Sequence, residues 1–409
     1  MGRKLVALGA FLVMLCFYPI HYAKERISLP TYVRIENEIA NVTVPSKPGH
    51  EDLILKRHAA VLANATEPRL IAYQCTNFCG GLGDRVRGVV TSFILALLTD
   101  SQFVVNYRLP VNIEHYFNLP CTDLYNLSTN GIRSEVVVDH ANRRWPSGHA
   151  MRMDVNAIDG NDAFFSQSST SLLSSIRNVK FLVVQSNQGQ FYKLLKRPEF
   201  IGRARYYGLE NLDYEHVFGL VVRLFFSKPR EQLKKAVDKE LHKIPVYQRI
   251  GVQIRTGDNF GDPLRYQYES ITCFVREAVK MCKESTSCGI YVTSDSNRAK
   301  QMFIQQLQDK LPGASVLAPQ SSILHPDRAK IEPFSRELFH RWIPHFVEWR
   351  LLWEMNSLVI CDSGFSRTVA WATQVPTVTV EQNCEIEDPS LRLKEWNGDA
   401  LMKESKRAP

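Results

Sequence analysis

The chain has 409 residues, 44% of them hydrophobic and 22% charged, a balance that fits a globular protein with room for two domains and excludes a disordered or fibrous one. The formal net charge of +8 comes without a long Lys/Arg block or a basic–aromatic repeat, so no nucleic acid is expected as a partner. A surface excess of lysine accounts for most of that charge, with a preference for anionic donors or membrane surfaces as a smaller contribution.

At the N-terminus, Arg3 and Lys4 precede an apolar run from Leu5 to Ile20, and Lys24, Glu25 and Arg26 follow it. No small-x-small cleavage site follows the run, so residues 1–26 read as a cytoplasmic tail and uncleaved signal anchor rather than a cleaved signal peptide. Basic residues ahead of the run place the body in the lumen, and the short run suits the thinner membranes early in the secretory route. Asn41-Val-Thr, Asn64-Ala-Thr and Asn126-Leu-Ser are glycosylation acceptors that agree with a lumenal body. Of the nine cysteines, Cys16 lies in the apolar run; the other eight are Cys75, Cys79, Cys121, Cys273, Cys282, Cys288, Cys361 and Cys384. With no CxxC pair and no clustered histidines, they read as disulfides rather than zinc ligands. Cys273, Cys282 and Cys288 stand close together, so a bridge using two of them is expected, with Cys361 or Cys384 available for the third.

Residues 27–68 lack strong periodicity, carry Pro30, Pro45 and Pro48, and read as a solvated stem, with some helix near Glu51–Leu62 as the alternative. The body opens with a strand at 70–73, a glycine loop and a helix to about Leu98 whose apolar residues Val86, Val89, Val90, Phe93, Ile94 and Leu97 fall at helical spacing. A strand at 102–107 follows. A strand–loop–helix–strand unit of this kind predicts a parallel, doubly wound sheet. Residues from about Val111 to Ser175 read as loops, followed by a strand at 180–185 and helices near 214–226 and 228–241. This half, 69–243, is expected to form one Rossmann-like domain, on the acceptor side. From 244 to 390, strands at 250–255, 289–295, 315–317, 357–362 and 377–381 alternate with helices near 270–282, 296–311, 335–356 and 367–373, which predicts a second. Residues 391–409 read as a charged tail.

The chemistry-bearing residues gather at strand ends, where open α/β sheets bind ligands. Arg255 ends the strand Ile250–Ile254, with Gln253 before it and Asp258 just beyond. Its planar fork suits phosphate oxygens, although an arginine paired with a carboxylate is the plainer reading. Ser294 and Asp295 end the next strand, as a helix N-cap or as partners for ribose or base hydroxyls. Asp362-Ser363-Gly364-Phe365-Ser366-Arg367 opens a helix, where Ser363, Gly364, Ser366 and Arg367 offer donors at a positive helix end. In the first half, Gly81, Gly83 and Arg85 lie in a loop expected to face the ligand, and Asp84 beside them is a carboxylate available to catalysis. That loop lacks GxxxxGK[ST], and Val86 stands where a dinucleotide fingerprint needs its third glycine, so a tight turn is an equal reading. The three strand ends of the second half together make a nucleotide-diphosphate site.

The set resembles the GDP-fucose-dependent fucosyltransferases that act on hydroxyls, the α-1,2, α-1,6 and protein O-fucosyltransferase group with the plant xyloglucan enzymes. Gln253-Ile254-Arg255-Thr-Gly-Asp258 stands for their His/Gln-x-Arg strand end, Thr293-Ser294-Asp295 for their Ser/Thr-Asp strand end, and Ser363-Gly-Phe-Ser366-Arg-Thr-Val-Ala-Trp371 for their serine-rich helix start. Gly81-Leu-Gly83-Asp-Arg-Val-Arg87 stands for their opening Gly-x-Gly loop. The resemblance spans about Tyr73 to Val380. Gln253 replaces the histidine many members carry, and Thr256 replaces a second arginine, so no single subfamily fits.

The resemblance implies an α/β fold of the GT-B type, two Rossmann-like doubly wound domains facing a cleft, with GDP-fucose held by the C-terminal one. It implies an inverting transfer of fucose to a hydroxyl of a glycan or glycoprotein acceptor, in a type II membrane protein of the Golgi or ER. No metal and no cofactor beyond the GDP-sugar donor is expected, since no D-x-D triplet ends a strand. Arg255 and helix N-terminal donors then meet the pyrophosphate charge, and Asp258 or Asp84 is the candidate general base. Asp258 orienting Arg255 is an equally open role. The second reading is a non-catalytic lumenal protein that kept the fold and binds a glycan or nucleotide sugar. A sulfotransferase is disfavoured because Gly80–Arg87 lacks the lysine and Ser/Thr its phosphosulfate loop needs.

Overall fold

The structure, a computed structural model, describes residues 49–65, 69–74, 80–106, 111–120, 150–155, 181–187, 189–244, 248–257, 266–283, 288–319, 335–381 and 384. In chain order these hold α1 (His50–Ala63), β1 (Leu70–Gln74), α2 (Leu82–Leu98), β2 (Gln102–Asn106), β3 (Ala150–Val155), β4 (Phe181–Ser186), α3 (Phe191–Leu195), α4 (Ile201–Tyr206), α5 (Tyr214–Phe226) and α6 (Glu231–Leu241). The second half continues with β5 (Gln248–Ile254), α7 (Ile271–Lys283), β6 (Cys288–Ser294), α8 (Asn297–Lys310), β7 (Ser315–Leu317), α9 (Arg336–Trp353), β8 (Ser357–Ile360), α10 (Gly364–Thr373) and β9 (Thr377–Thr379). The expected anchor, the sequons at Asn41 and Asn126, Cys75, Cys79, Cys121, Asp258 and the charged tail lie outside the described residues. Among the described residues, no helix is long and apolar enough to cross a membrane.

The described strands form two sheets, ordered β2-β1-β4-β3 and β7-β6-β5-β8-β9, and every pairing within them is parallel. Helices cover the second sheet on both faces, so its strands are near-continuous apolar runs. From Ile250 to Ile254 every residue of β5 is buried, as is every residue of β6 after Cys288. Ile250, Val252 and Ile254 pack with Ile271, Phe274 and Ala278 of α7. Gln253 lies on the opposite face. The strand order of this sheet reverses between β5 and β8, which makes their carboxyl ends a topological switch point.

Two expectations are corrected. The stem expected at 27–68 is helical and docked over 50–63. Ile54 is fully buried, His50 and His58 flank it one turn away on either side, Glu51 pairs with Arg223 at 2.6 Å, and the Arg57 guanidinium donates to the Tyr206 carbonyl. Two histidines in a three-residue buried stripe hide it from an apolar-periodicity reading. β3 lies inside the region expected to be loops; its sequence AMRMDV has only one β-branched residue and carries two charges.

The cores also interlock across 243/244. Tyr116 stacks on Phe339 of α9 at 4.8 Å and donates to its carbonyl, Phe117 meets Trp349, and Gly219 of α5 lies so close to α10 that an added Cβ would stand 1.9 Å from the Trp371 oxygen. Both sheets belong to one compact unit, Thr43–Pro409.

Candidate functional site

The turn after β5 is fixed by Asp295 from the end of β6. Its Oδ1 accepts from the Thr256 backbone N at 2.8 Å and the Thr256 hydroxyl at 3.2 Å, and its Oδ2 accepts from the Gly257 N at 2.8 Å. Gly257 has φ 87°, a conformation that favours glycine, so the turn can close on the carboxylate. The same Oδ2 meets Arg255 Nη1 at 3.2 Å, with the two side chains only 15% and 6% exposed. The plainer reading of Arg255 is therefore realised, and its partner is Asp295, 40 residues on. This pairing does not remove Arg255 from ligand chemistry: it holds the guanidinium in place at the carboxyl end of a central strand. Asp295 is committed to the turn and to Arg255, a role different from the expected contact with ribose or base.

Gln253 anchors a second set of contacts. Its Oε1 accepts from the Ser366 hydroxyl at 2.8 Å and from the Cys361 thiol at 3.0 Å, joining β5 to the end of β8 and the first turn of α10. Ser366 and Cys361 are fully buried. Burial, reinforced by the charges of Asp362 and Asp295, pushes the Cys361 thiol well above its ordinary range, so it remains an S–H donor. Ser366 is thus buried and donates to Gln253, whereas Ser363 and Gly364 stand at the helix start itself. Arg367 pairs with Asp362 at 2.9 Å, and the Trp349 indole donates to the Phe365 carbonyl at 3.0 Å, fixing the turn from the α9 side. Ser294 accepts from the Ser296 N at 3.1 Å, and Ser296 caps α8 by accepting from the Ala299 N at 3.2 Å, so the Ser294–Ser296 segment realises the N-cap reading.

The glycine loop of the first half is a tight turn locked by its own residues. Gly80 has φ 75°, and Asp84 Oδ2 accepts from the Gly81 N at 2.9 Å while Oδ1 pairs with Arg87 Nη1 at 3.2 Å. Asp84 is therefore a helix cap and counter-ion, which lowers its claim as a general base. Arg85, expected to face the ligand, is 1% exposed and its Nε donates back to the Gly80 carbonyl. Gly83, also expected to face the ligand, abuts Gly364 instead; a Cβ on Gly83 would stand 2.1 Å from the Gly364 carbonyl carbon. Gly83 lies in the helix after β1 and Gly364 opens the helix after β8. Their contact brings the carboxyl edges of the two sheets face to face.

Sequence reasoning missed Thr256, Cys361 and Glu348. Glu348 projects from α9 and accepts from the Thr293 hydroxyl at 2.9 Å. Only Cys361 carried a signal, as a strand-end cysteine beside Asp362. Asn64, the one sequon asparagine described, is exposed and its amide donates to the Ala60 carbonyl. Among the described residues no group of His, Cys, Asp and Glu converges in a way that holds a metal ion.

No family model and no curated protein matches the chain. Solved structures do. An arginine-to-lysine mutant of FUT1 from Arabidopsis thaliana, in complex with GDP, is 17% identical, with a TM-score of 0.56 over 85% of this chain and 78% of that one. The fucosyltransferase NodZ from Bradyrhizobium is 13% identical, with a TM-score of 0.45 over 79% of this chain and 98% of that one. POFUT1 in complex with GDP is 11% identical, with a TM-score of 0.45 over 77% and 99%. The assignment of fold rests on the first of these together with the two parallel sheets and their facing carboxyl edges. The chain has an α/β fold of the GT-B type, similar to that of the Arabidopsis FUT1 structure.

Proposed function

We propose that this chain is an inverting, metal-independent glycosyltransferase that moves fucose from GDP-fucose to a hydroxyl of a glycan or glycoprotein acceptor. The observation that carries the reading is Arg255, held by Asp295 at the carboxyl end of β5, at the switch point and beside the N-terminus of α10. GDP in the similar Arabidopsis structure supports the choice of donor. In this reading the pyrophosphate lies between Arg255 and the first backbone N–H groups of α10, whose positive end favours an anion. As the sugar–phosphate bond breaks, its electron pair leaves with GDP, and the growing charge is met by donors already in place. The acceptor hydroxyl attacks the sugar from the opposite face and gives its proton to a carboxylate. Asp258 is the residue proposed for that role, since Asp84 is engaged as a cap. A basic-flanked anchor at residues 1–26 would place the body in the Golgi or ER lumen.

The engagement of Asp84 also favours one rival, a lumenal protein that binds the nucleotide sugar or a glycan without transferring it. One experiment separates the two: the purified lumenal body is incubated with a panel of GDP- and UDP-sugars, with and without EDTA, and both binding and nucleotide release are measured. Slow GDP release from GDP-fucose alone, unchanged by EDTA and raised by an acceptor, is the expected result. Binding of GDP-fucose without release under any acceptor supports the rival, and preference for a UDP-sugar contradicts both.

A further inference from the structure

The carboxamide of Gln253 is the one strand-end group of the candidate site whose orientation is set by two fully buried donors. Gln253 itself is 4% exposed, and its Oε1 receives the Ser366 hydroxyl at 2.8 Å and the Cys361 thiol at 3.0 Å. Which end of an amide is oxygen is decided by its partners. Here the partners decide it. The thiol stays protonated because burial opposes the thiolate, so it offers a hydrogen. Ser366 also lies 3.4 Å from the Ser363 carbonyl, a weaker acceptor geometry than the 2.8 Å contact to Gln253. Turning the amide over would set Nε2 against the Cys361 S–H, a poor acceptor, and would leave the Ser366 hydroxyl to accept from Nε2 and donate to the Ser363 carbonyl at 3.4 Å instead of to Gln253 at 2.8 Å, so the arrangement with the oxygen inward is the better-bonded one.

We propose that Ser366 and Cys361 are positioning residues that lock the Gln253 carboxamide with its oxygen inward, so that Gln253 presents its Nε2 N–H to a phosphate oxygen of the bound nucleoside diphosphate. The inference rests on the reading of this site as a GDP site. β8 and α10 take the oxygen end, and the amino end is the one turned away from them. A neutral donor at this position does not titrate, unlike an imidazole, so its contribution is constant across the pH range of the secretory route. Cys361 is then a thiol whose work requires that it stay unpaired, and it is the free cysteine among the described residues.

Gln253→Glu tests the orientation directly. It keeps an oxygen for Ser366 and Cys361 but replaces the amino end with a carboxylate oxygen. GDP affinity, measured by calorimetry beside a melting curve, is expected to fall about tenfold or more at neutral pH. It is expected to recover as the pH is lowered and the new carboxyl takes up a proton, with the recovery in affinity exceeding any change in the melting curve over the same pH series; a purely structural role would move the two together. The Ser366→Ala/Cys361→Ala double variant, which removes both donors, is expected to weaken GDP binding about threefold to tenfold, and Cys361→Ser in place of Cys361→Ala to restore part of it. If the double variant does not fold, Gln253→Glu decides alone. A folded Gln253→Glu protein that binds GDP as tightly as the parent across the pH series overturns the inference and leaves the GDP site standing. A parent that binds no GDP overturns the GDP site itself, and this inference with it.

Discussion

Arg255 and Asp295 are the residues on which the candidate site turns, and their effects are separable. Arg255→Lys keeps the positive charge but loses the planar fork that can give two parallel hydrogen bonds. In the proposed metal-independent transfer, the expected cost is on the order of 3 kcal/mol, about a hundredfold in transfer rate, with the melting temperature little changed. Steady-state kinetics beside a melting curve checks this. Asp295→Ala acts differently. It leaves Arg255 without its carboxylate and takes the acceptor from the Thr256 and Gly257 N–H groups, in a place where the aspartate side chain is 6% exposed. Removing one member of a buried pair costs roughly 3 to 5 kcal/mol, so this variant is expected to lose stability as well as GDP affinity, measured by urea denaturation. Arg255 was legible as a strand-end arginine because an apolar run ending in an arginine and a glycine is a visible pattern. Its partner was not, because the contact joins two strands whose neighbourhood only the folded sheet creates.

At the scale of elements, the decisive contact is between α2 and α10. Gly83 and Gly364 are tightly packed, with no room for a side chain on Gly83. Gly83→Ala is therefore expected to push the two helix starts apart, with overpacking costing roughly 1 to 3 kcal/mol and a fall in GDP affinity beyond the fall in stability. The sequence showed both glycines at helix starts, but each was equally readable as part of a ligand loop. Strand β3 was the element least visible; helix α1, only an alternative to a stem, carries a pH prediction. Burial lowers the His58 pKa from 6.5 to about 4, with a hydrogen bond from the imidazole to the Ser101 backbone opposing. The folded state thus binds the proton more weakly than the unfolded chain. The stability due to a neutral His58 is fully present above about pH 6.5 and is lost as pH falls toward 4. Up to about 3 kcal/mol is at stake over that window. The melting temperature of the parent is expected to fall across it, with a shallower slope for His58→Gln.

At the scale of the whole molecule, two disulfides close the second half. Cys282 bridges Cys288, and Cys273 bridges Cys384 across 111 residues. The expected bridge among the three clustered cysteines is present, and Cys384 rather than Cys361 takes the third. Spacing narrowed these choices without deciding them, because the end of the chain has to return over the sheet before Cys384 reaches Cys273. Loss of the longer bridge in a Cys273→Ser/Cys384→Ser variant is expected to cost about 4 to 5 kcal/mol by loop-closure entropy, read from the denaturation midpoint. The alternation of strand and helix from Ile250 onward made the second sheet almost fully legible, since each strand is β-branched and each helix amphipathic. The interlocking of α9 and α10 with the first half was not, because Tyr116, Gly219 and Trp371 look like ordinary core residues until the two sheets are set face to face.

The central claim is that the carboxyl end of β5 binds a guanosine diphosphate, with Arg255 as its principal charge. Calorimetric titration of GDP into the purified parent and into Arg255→Ala, each with a melting curve, tests it most directly. The account predicts saturable binding to the parent and binding weakened at least tenfold in a folded variant. An Arg255→Ala protein that stays folded and binds GDP as tightly as the parent would contradict it.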